Sequence, residues 1–359
     1  MKKALIYMVS IFLAAMSLLC MFAPKKEISF SERRELNQFP NLSIETLISG
    51  EFMDDFEEYA ADQFPFREQW RSLKARLTLN LFQQSDNNKL YVADGHASKL
   101  EYPLKEEAVQ RVSKLFRQIY DNQLAEKNCK VYYSVIPDKN YFLGEEYIRM
   151  DYEKLNSILH ENLPDMTYID ITELLEIGDY YKTDAHWRQE CLVDVAEKLA
   201  KEMGTEISAE YQVEKIENPF YGVYYGQSAL SLEPDELFYL TNQTLESCEV
   251  YDFQNDREMK IYDMEKAQGQ DPYEMFLAGS LSLVEIQNPM ANTSKEIVIY
   301  RDSFASAIAP LLVEGYAKIT LVDIRYISSS YVESLVNFEN ADVLFLYSTS
   351  VLNNSEMLR

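Results

Sequence analysis

Glu296-Ile297-Val298-Ile299-Tyr300-Arg301-Asp302-Ser303-Phe304 runs apolar β-formers directly into a polar turn that holds a serine. The stretch reads as a buried strand over Glu296 to Tyr300, followed by a helix over Phe304 to Leu312. That puts Ser303 at the carboxyl end of a strand, the edge where open parallel sheets bind ligands. It also puts Ser303 at a helix start, whose free N–H groups can hold an oxyanion. Serine is equally at home there as a helix cap. Residue type alone therefore leaves nucleophile and cap as alternatives.

The alternation continues outward from this stretch. Lys130 to Ile136, Thr167 to Ile169, Lys318 to Val322 and Val343 to Tyr347 read as short apolar strands. Leu104 to Gln123, Tyr152 to Leu163, Arg188 to Met203 and Tyr331 to Asn337 read as helices, the first with Val109, Val112, Phe116 and Ile119 on one face. Short strands alternating with helices predict an α/β domain with a mostly parallel sheet. Asn218 to about Gln287, rich in tyrosine, glycine and acidic residues, breaks the rhythm and is expected to be loops and short strands. Upstream, Phe30 to Phe82 is expected to be helical: Asn41-Leu42-Ser43 opens one helix, Gly50 ends it, and Pro65 breaks the next. The expected organisation is a membrane segment at 1–26, a juxtamembrane helical segment at 27–85, and the α/β domain at 86–359 with an irregular insertion at about 215–290.

Met1-Lys2-Lys3 precedes an apolar run from Ala4 to Ala23, then Lys25-Lys26. The run is long enough to cross a hydrocarbon core, which takes about 20 residues. A cleaved signal peptide is the alternative, but Met21-Phe22-Ala23 is a poor cleavage site. Leu18-Leu19 before Cys20 likewise lacks the small residue of a lipoprotein signal. The reading favours an uncleaved, single-pass anchor with the following domain outside the cytoplasm. Flanking lysines on both sides orient it only weakly.

The chain of 359 residues is 47% hydrophobic, enough for a real core. Its net charge of −25 argues against nucleic acid as a partner, because that interface needs a basic face. It also disfavours strongly anionic polymers as substrates. Cys129, Cys191 and Cys248 are widely spaced, with no C-x-x-C pair, so free thiols are expected rather than a zinc site or disulfide framework.

Only three histidines occur, His96, His160 and His186. His186 lies in Thr183-Asp184-Ala185-His186-Trp187, a carboxylate two residues before an imidazole. In an extended loop that spacing points both side chains the same way. Asp184 can then accept from one imidazole nitrogen while the other faces Ser303, giving nucleophile, base and base-orienting acid. A surface histidine beside an incidental aspartate is the plainer reading of Asp-x-His taken alone. No second histidine stands at ligand spacing, so no metal is expected, and no cofactor is implied.

Asp-Ala-His-Trp and Arg-Asp-Ser-Phe together resemble the DHHW proteins, within the AlgX/AlgJ-like, SGNH-hydrolase-like group. The resemblance extends through Phe30-Ser31-Glu32-Arg33-Arg34, Phe64-Pro65-Phe66-Arg67, Pro137-Asp138-Lys139, Phe220-Tyr221-Gly222 and Asp323-Ile324-Arg325-Tyr326. It implies a three-layer α/β sandwich in which Asp-x-His precedes the serine, a permuted SGNH order. It implies O-acetylation of an exported polysaccharide, with a membrane-bound O-acyltransferase as acetyl supplier and the polysaccharide as acceptor. Ala185 replaces the first histidine of the family motif, and Arg301 stands where many SGNH enzymes have glycine. Gly279 in Leu277-Ala278-Gly279-Ser280 is a candidate oxyanion donor, though Ser280 is not the usual asparagine. Lys139 and Arg325 follow strand ends and are candidate site residues, or charges paired with Asp138 and Asp323. Tyr221, Tyr224 and Tyr225 are candidates for stacking on sugar rings. The expected function is an extracytoplasmic O-acetyltransferase or acetylesterase on a cell-surface polysaccharide. The alternative is a non-catalytic glycan-binding scaffold of a polysaccharide export complex.

Overall fold

A computed structural model describes every residue except Met1, Phe30, Ala209 and Ser231. Phe30, which opens one of the motifs above, thus lies outside the described residues. The chain divides into two compact units: Met1–Tyr91 with Val223–Leu232, and Val92–Gly222 with Glu233–Arg359.

In the first unit, α1 (Lys2–Phe22) is, among the described residues, the one helix long and apolar enough to cross a membrane, and none of it is buried. Ile28–Ser29 then pairs with Arg34–Glu35, so this part is extended where a helix was expected. Helix α2 (Ile44–Ser49) begins at the Ser43 cap, whose side chain accepts from Thr46 N–H. It ends at Gly50 with φ 88°, a left-handed turn that glycine adopts without a Cβ penalty. Helix α3 (Glu51–Asp62) stops before Pro65, and α4 (Arg67–Arg76) follows. Arg34 clamps Asp62 at 2.8 Å, Arg67 holds Glu32 at 2.6 Å, and Arg71 reaches Glu32 at 3.0 Å. The Arg34 hydrogen bond holds the Asp62 carboxyl below its usual range.

The second unit is built on a sheet. Its strands are β1 (Lys130–Ile136), β2 (Thr167–Tyr168), β3 (Glu249–Asp252), β4 (Arg257–Met259), β5 (Leu283–Gln287), β6 (Glu296–Arg301), β7 (Lys318–Val322) and β8 (Ala341–Ser348). Among the described residues they pair in the order β4-β3-β5-β7-β6-β8-β1-β2. The pairs from β7 through β2 are parallel, with Ile299 opposite both Leu321 and Leu344. The pairs β4/β3, β3/β5 and β5/β7 are antiparallel. Side chains alternate across each strand: Ile297 and Ile299 of β6 enter one core, Val298 and Tyr300 the other. Helices α5 (Glu106–Ile119) and α6 (Tyr152–Asn162) cover the second face. Helix α7 (Val193–Glu202) and α8 (Ala305–Ile308, continued as tighter turns to Gly315) cover the first. This is the expected α/β sandwich.

Three elements depart from the sequence reading. The region from Asn218 to Gln287 supplies β3, β4 and β5 and so extends the main sheet. Val250, Val284 and Ile286 from it are buried in the core. Helix α7 starts at Val193 rather than Arg188, after a short turn at Gln189–Cys191. The helix expected over Tyr331 to Asn337 is a single turn, Ser329–Val332.

Candidate active site

Strand β6 lies between β7 and β8, and the chain passes from β6 to β7 on one side before crossing to β8 on the other. The carboxyl end of β6 is thus the place where connections leave in opposite directions, the crevice-forming position in open sheets. Ser303 stands two residues past that end. Asp302, fully buried, fixes the turn: one carboxylate oxygen accepts from Phe304 N–H at 3.0 Å, the other from Ser348 N–H at 2.8 Å. The next N–H groups are taken by Asp302 O and Ser303 O. Among the described residues the Ser303 N–H has no acceptor, leaving it available to the site.

His186 Nε2 lies 2.8 Å from Ser303 Oγ, and His186 Nδ1 lies 2.6 Å from Asp184 Oδ1. The same Asp184 oxygen accepts from the His186 backbone N–H at 3.1 Å. The two side chains meet through a tight carboxylate-backbone turn, not through the extended backbone expected from their spacing. Asp184 is almost wholly buried, while the imidazole keeps some exposure. Tyr273 stacks on the imidazole with ring centroids 3.9 Å apart and planes 14° apart, and Phe304 packs at 4.7 Å. Burial pushes the Tyr273 phenol well above its ordinary range.

The loop that carries Asp184 and His186 is held by backbone contacts. Tyr181 N–H donates to His186 O at 3.1 Å, and Arg188 N–H to Asp179 O at 2.7 Å. Trp187, fully buried, donates its indole N–H to Phe304 O at 2.9 Å; Gln189 donates to Ala307 O at 2.7 Å. Both tie the histidine loop to the helix after the serine. Asp235 accepts from the N–H groups of Lys182 at 2.7 Å and Thr183 at 2.8 Å. Gly222 N–H donates to Thr183 Oγ1 at 2.8 Å.

Lys139, fully buried, does not point into open space. Its ammonium donates to Tyr181 O at 3.0 Å and Asp184 O at 2.8 Å. Burial pushes it down to about 7, against the attraction of Asp184 and other carboxylates. Asp138, beside it, accepts from Thr349 Oγ1 at 3.0 Å and Tyr152 OH at 2.7 Å; burial raises it to about 6.

The remaining candidates fall differently. Gly279 has φ 86°, but its N–H is taken by Phe276 O at 3.1 Å, so it is not a free oxyanion donor. Arg325 pairs with Asp323 at 2.6 and 2.9 Å, the paired-charge alternative. Arg301 is fully buried, donating to Ser306 Oγ at 2.9 Å and toward the carbonyls of Gly279 and Leu281; burial lowers it. Its bulk supports the neighbouring turn and leaves the Ser303–His186 hydrogen bond intact. Tyr221 is exposed next to Gly222. Tyr224 and Tyr225 belong to the other unit, in the short helix Val223–Ser228. Sequence reasoning missed Asp235, Gln189 and Tyr273. The buried acid and glutamine leave no spacing signal, because most of their partners are backbone groups that only folding brings near.

The family model described as DHHW protein matches residues 168–322, a span that holds both Asp184-Ala185-His186-Trp187 and Ser303. That span of the chain matches the DHHW pattern that its two motifs resemble. A crystal structure of a DHHW family protein from Eubacterium siraeum shares 20% identity, covers 76% of this chain and 95% of that one, and aligns with a TM-score of 0.61. PatB1 of Bacillus cereus shares 22% identity over 73% of this chain and 96% of its own, with a TM-score of 0.58. A second PatB1 structure, with a sulfonyl adduct, aligns equally well at 21% identity and the same TM-score of 0.58. These likenesses establish a shared fold. No curated protein matches this chain. Ala185 leaves the Asp184–His186 contact whole, because the carboxylate and imidazole meet without that position.

Proposed function

We propose that the chain is a membrane-anchored, extracytoplasmic O-acetyltransferase or acetylesterase acting on a cell-surface polysaccharide through an acetyl-serine intermediate. The carrying observation is the continuous hydrogen-bonded chain Asp184–His186–Ser303. Ser303 Oγ attacks the donor's acetyl carbonyl, and His186 Nε2 takes its proton. Asp184 stabilises the imidazolium and fixes the ring. The Ser303 N–H donates to the developing oxyanion. Collapse expels the donor's leaving group, which takes the proton back from His186. In the second half, a sugar hydroxyl loses its proton to His186 and attacks the acetyl-serine. The ester passes to the sugar, or to water in an esterase.

The DHHW match and the AlgX/AlgJ-like resemblance support acetyl transfer to a polysaccharide, with a membrane-bound O-acyltransferase as the acetyl supplier. Helix α1 supports attachment at the membrane. Sulfonyl electrophiles trap activated nucleophiles, and the PatB1 structure with a sulfonyl adduct suggests the same probe here.

The test incubates the chain with an activated acetyl ester and, separately, with a sulfonyl fluoride, following turnover and intact mass beside Ser303→Ala and His186→Ala. The expected result is serine-dependent turnover and an adduct mapping to Ser303. A folded protein with neither turnover nor adduct would overturn this reading in favour of the glycan-binding scaffold.

A further inference from the structure

The unit Met1–Tyr91 exposes a concentration of large apolar side chains after α1. Phe39, Leu42, Ile44, Leu47, Ile48 and Phe56 all face out, Ile48 at 82% exposure, and α2 buries none of its residues. Phe39 gathers Phe52, Phe56 and Tyr59 around it at centroid distances of 6.2, 6.0 and 5.3 Å. Those three residues follow i, i+4, i+7 spacing, one face of α3. A soluble surface seldom leaves so many large apolar side chains of one short segment uncovered.

The tether to α1 identifies what covers it. Just beyond Phe22, Lys26 N–H donates to Gln63 Oε1 at 3.0 Å, and Gln63 Nε2 donates back to Lys26 O at 2.8 Å. Lys25 Nζ donates to Cys20 O at 2.9 Å and sits 5.2 Å from the Tyr59 ring centroid. The end of α1 is therefore fastened to the end of α3. With 12 residues, α3 is only about 18 Å long. Every residue on it lies close to where α1 would leave the apolar layer, and headgroup layers extend only roughly 5–8 Å on each side.

We propose that α2 and the Phe52–Phe56–Tyr59 face of α3 dock onto the membrane surface, seating Phe39, Ile44 and Ile48 at the boundary of headgroups and acyl chains. The proposal rests on α1 being retained as an anchor. Asp54, Asp55, Glu57 and Glu58 make the rest of α3 acidic, so attraction to anionic lipid does not drive the contact. Apolar insertion does, with Lys25 and Lys26 at headgroup level. Docking therefore holds on neutral lipid and in high salt.

The test reconstitutes the full chain in vesicles of phosphatidylcholine with brominated acyl chains and compares Ile48→Trp with Asp54→Trp, each against the parent chain. Ile48 is so exposed that its replacement leaves the packing of the unit intact. The expected result is an added emission from Ile48→Trp that is blue-shifted and quenched several-fold more than that of Asp54→Trp, unchanged in 0.5 M salt (on the order of a 4 Å screening length). Equal quenching at both positions, or no quenching at Ile48→Trp, overturns the proposal. A blue-shifted but unquenched signal overturns it in favour of a protein occupant. An alkaline carbonate wash reads the anchor separately. Loss of the chain from the vesicles overturns both anchor and docking, while retention with an unquenched tryptophan overturns docking alone. Acyl labelling of Ser303 in both variants keeps the catalytic reading separate from either outcome.

Discussion

Replacing Gly222 with alanine is expected to disable the site without removing any of its reacting groups. A Cβ built at Gly222 sits 2.3 Å from Thr183 O and 2.4 Å from Asp184 Cβ, where ordinary contact begins near 3.4 Å. The partners are backbone and the root of a side chain, so no flexible tip can swing away. The Asp184 loop must retreat by about 1 Å to relieve the overlap, since atoms cannot approach much inside their contact distance. His186 Nε2 sits 2.8 Å from Ser303 Oγ, and a retreat of that size takes the pair out of hydrogen-bond range. Misplacing a reacting group by this much costs on the order of 100-fold in rate. Overpacking costs about 1–3 kcal/mol of stability, which leaves a protein of ordinary stability folded. The assay is the rate of Ser303 acylation by an activated acetyl ester, read by intact mass, with thermal unfolding alongside. Gly178→Ala is the control, because its added Cβ meets only the Glu176 carboxyl, at ordinary contact distances of 3.4 and 4.0 Å. A Gly222→Ala rate within twofold of the parent would refute the claim that the close approach of Gly222 sets the position of Asp184.

Trp187→Phe removes the shorter of two hydrogen bonds to Phe304 O, which keeps the Ala307 N–H at 3.3 Å, so unfolding by denaturant should show a loss of about 0.5–1.5 kcal/mol, with slower acylation. Tyr273→Phe keeps the ring on His186 and should leave acylation nearly unchanged, whereas Tyr273→Leu removes a stack of about 0.5–1.5 kcal/mol and should slow it roughly twofold to tenfold; equal rates would deny the stack a role. Burial lowers Lys139 to about 7 from its ordinary value of 10.5, so between these pH values the unfolded chain binds a proton that the folded chain has released. Stability contributed at this site therefore rises with pH from about 7 to 10. Melting temperatures of the parent and Lys139→Met across that window should diverge in slope; parallel curves would contradict the assignment.

The strands and the two polar motifs were legible because their signals are local. β6 is a run of apolar residues ending in Asp302-Ser303, and His186 is one of three histidines. The framework around them was not legible. Asp235 and Gln189 act largely on backbone groups brought close by folding, and Lys139 stood open between site residue and paired charge because nothing near it in sequence announces two buried carbonyls. The region from Asn218 to Gln287 misled for a related reason. Its strands β3 to β5 are short and pair antiparallel with one another, so their apolar positions are too few to show a period. Gly279 illustrates the opposite error. Its residue type suits an oxyanion donor, but its N–H closes the turn it sits in.

The position of β8 in the sheet bears on when the molecule becomes chemically competent. It is the strand made after all the other sheet strands, yet it lies between β6 and β1 in the middle of the parallel part. Until Ala341–Ser348 is inserted, the halves of the sheet have no shared edge, and Asp302 lacks the Ser348 N–H that fixes the serine turn. A growing polypeptide therefore carries Ser303 on a turn that still lacks its hydrogen bond to Ser348. The order of synthesis itself leaves the Ser303 turn without one of its two anchors until the last strand of the sheet is in place.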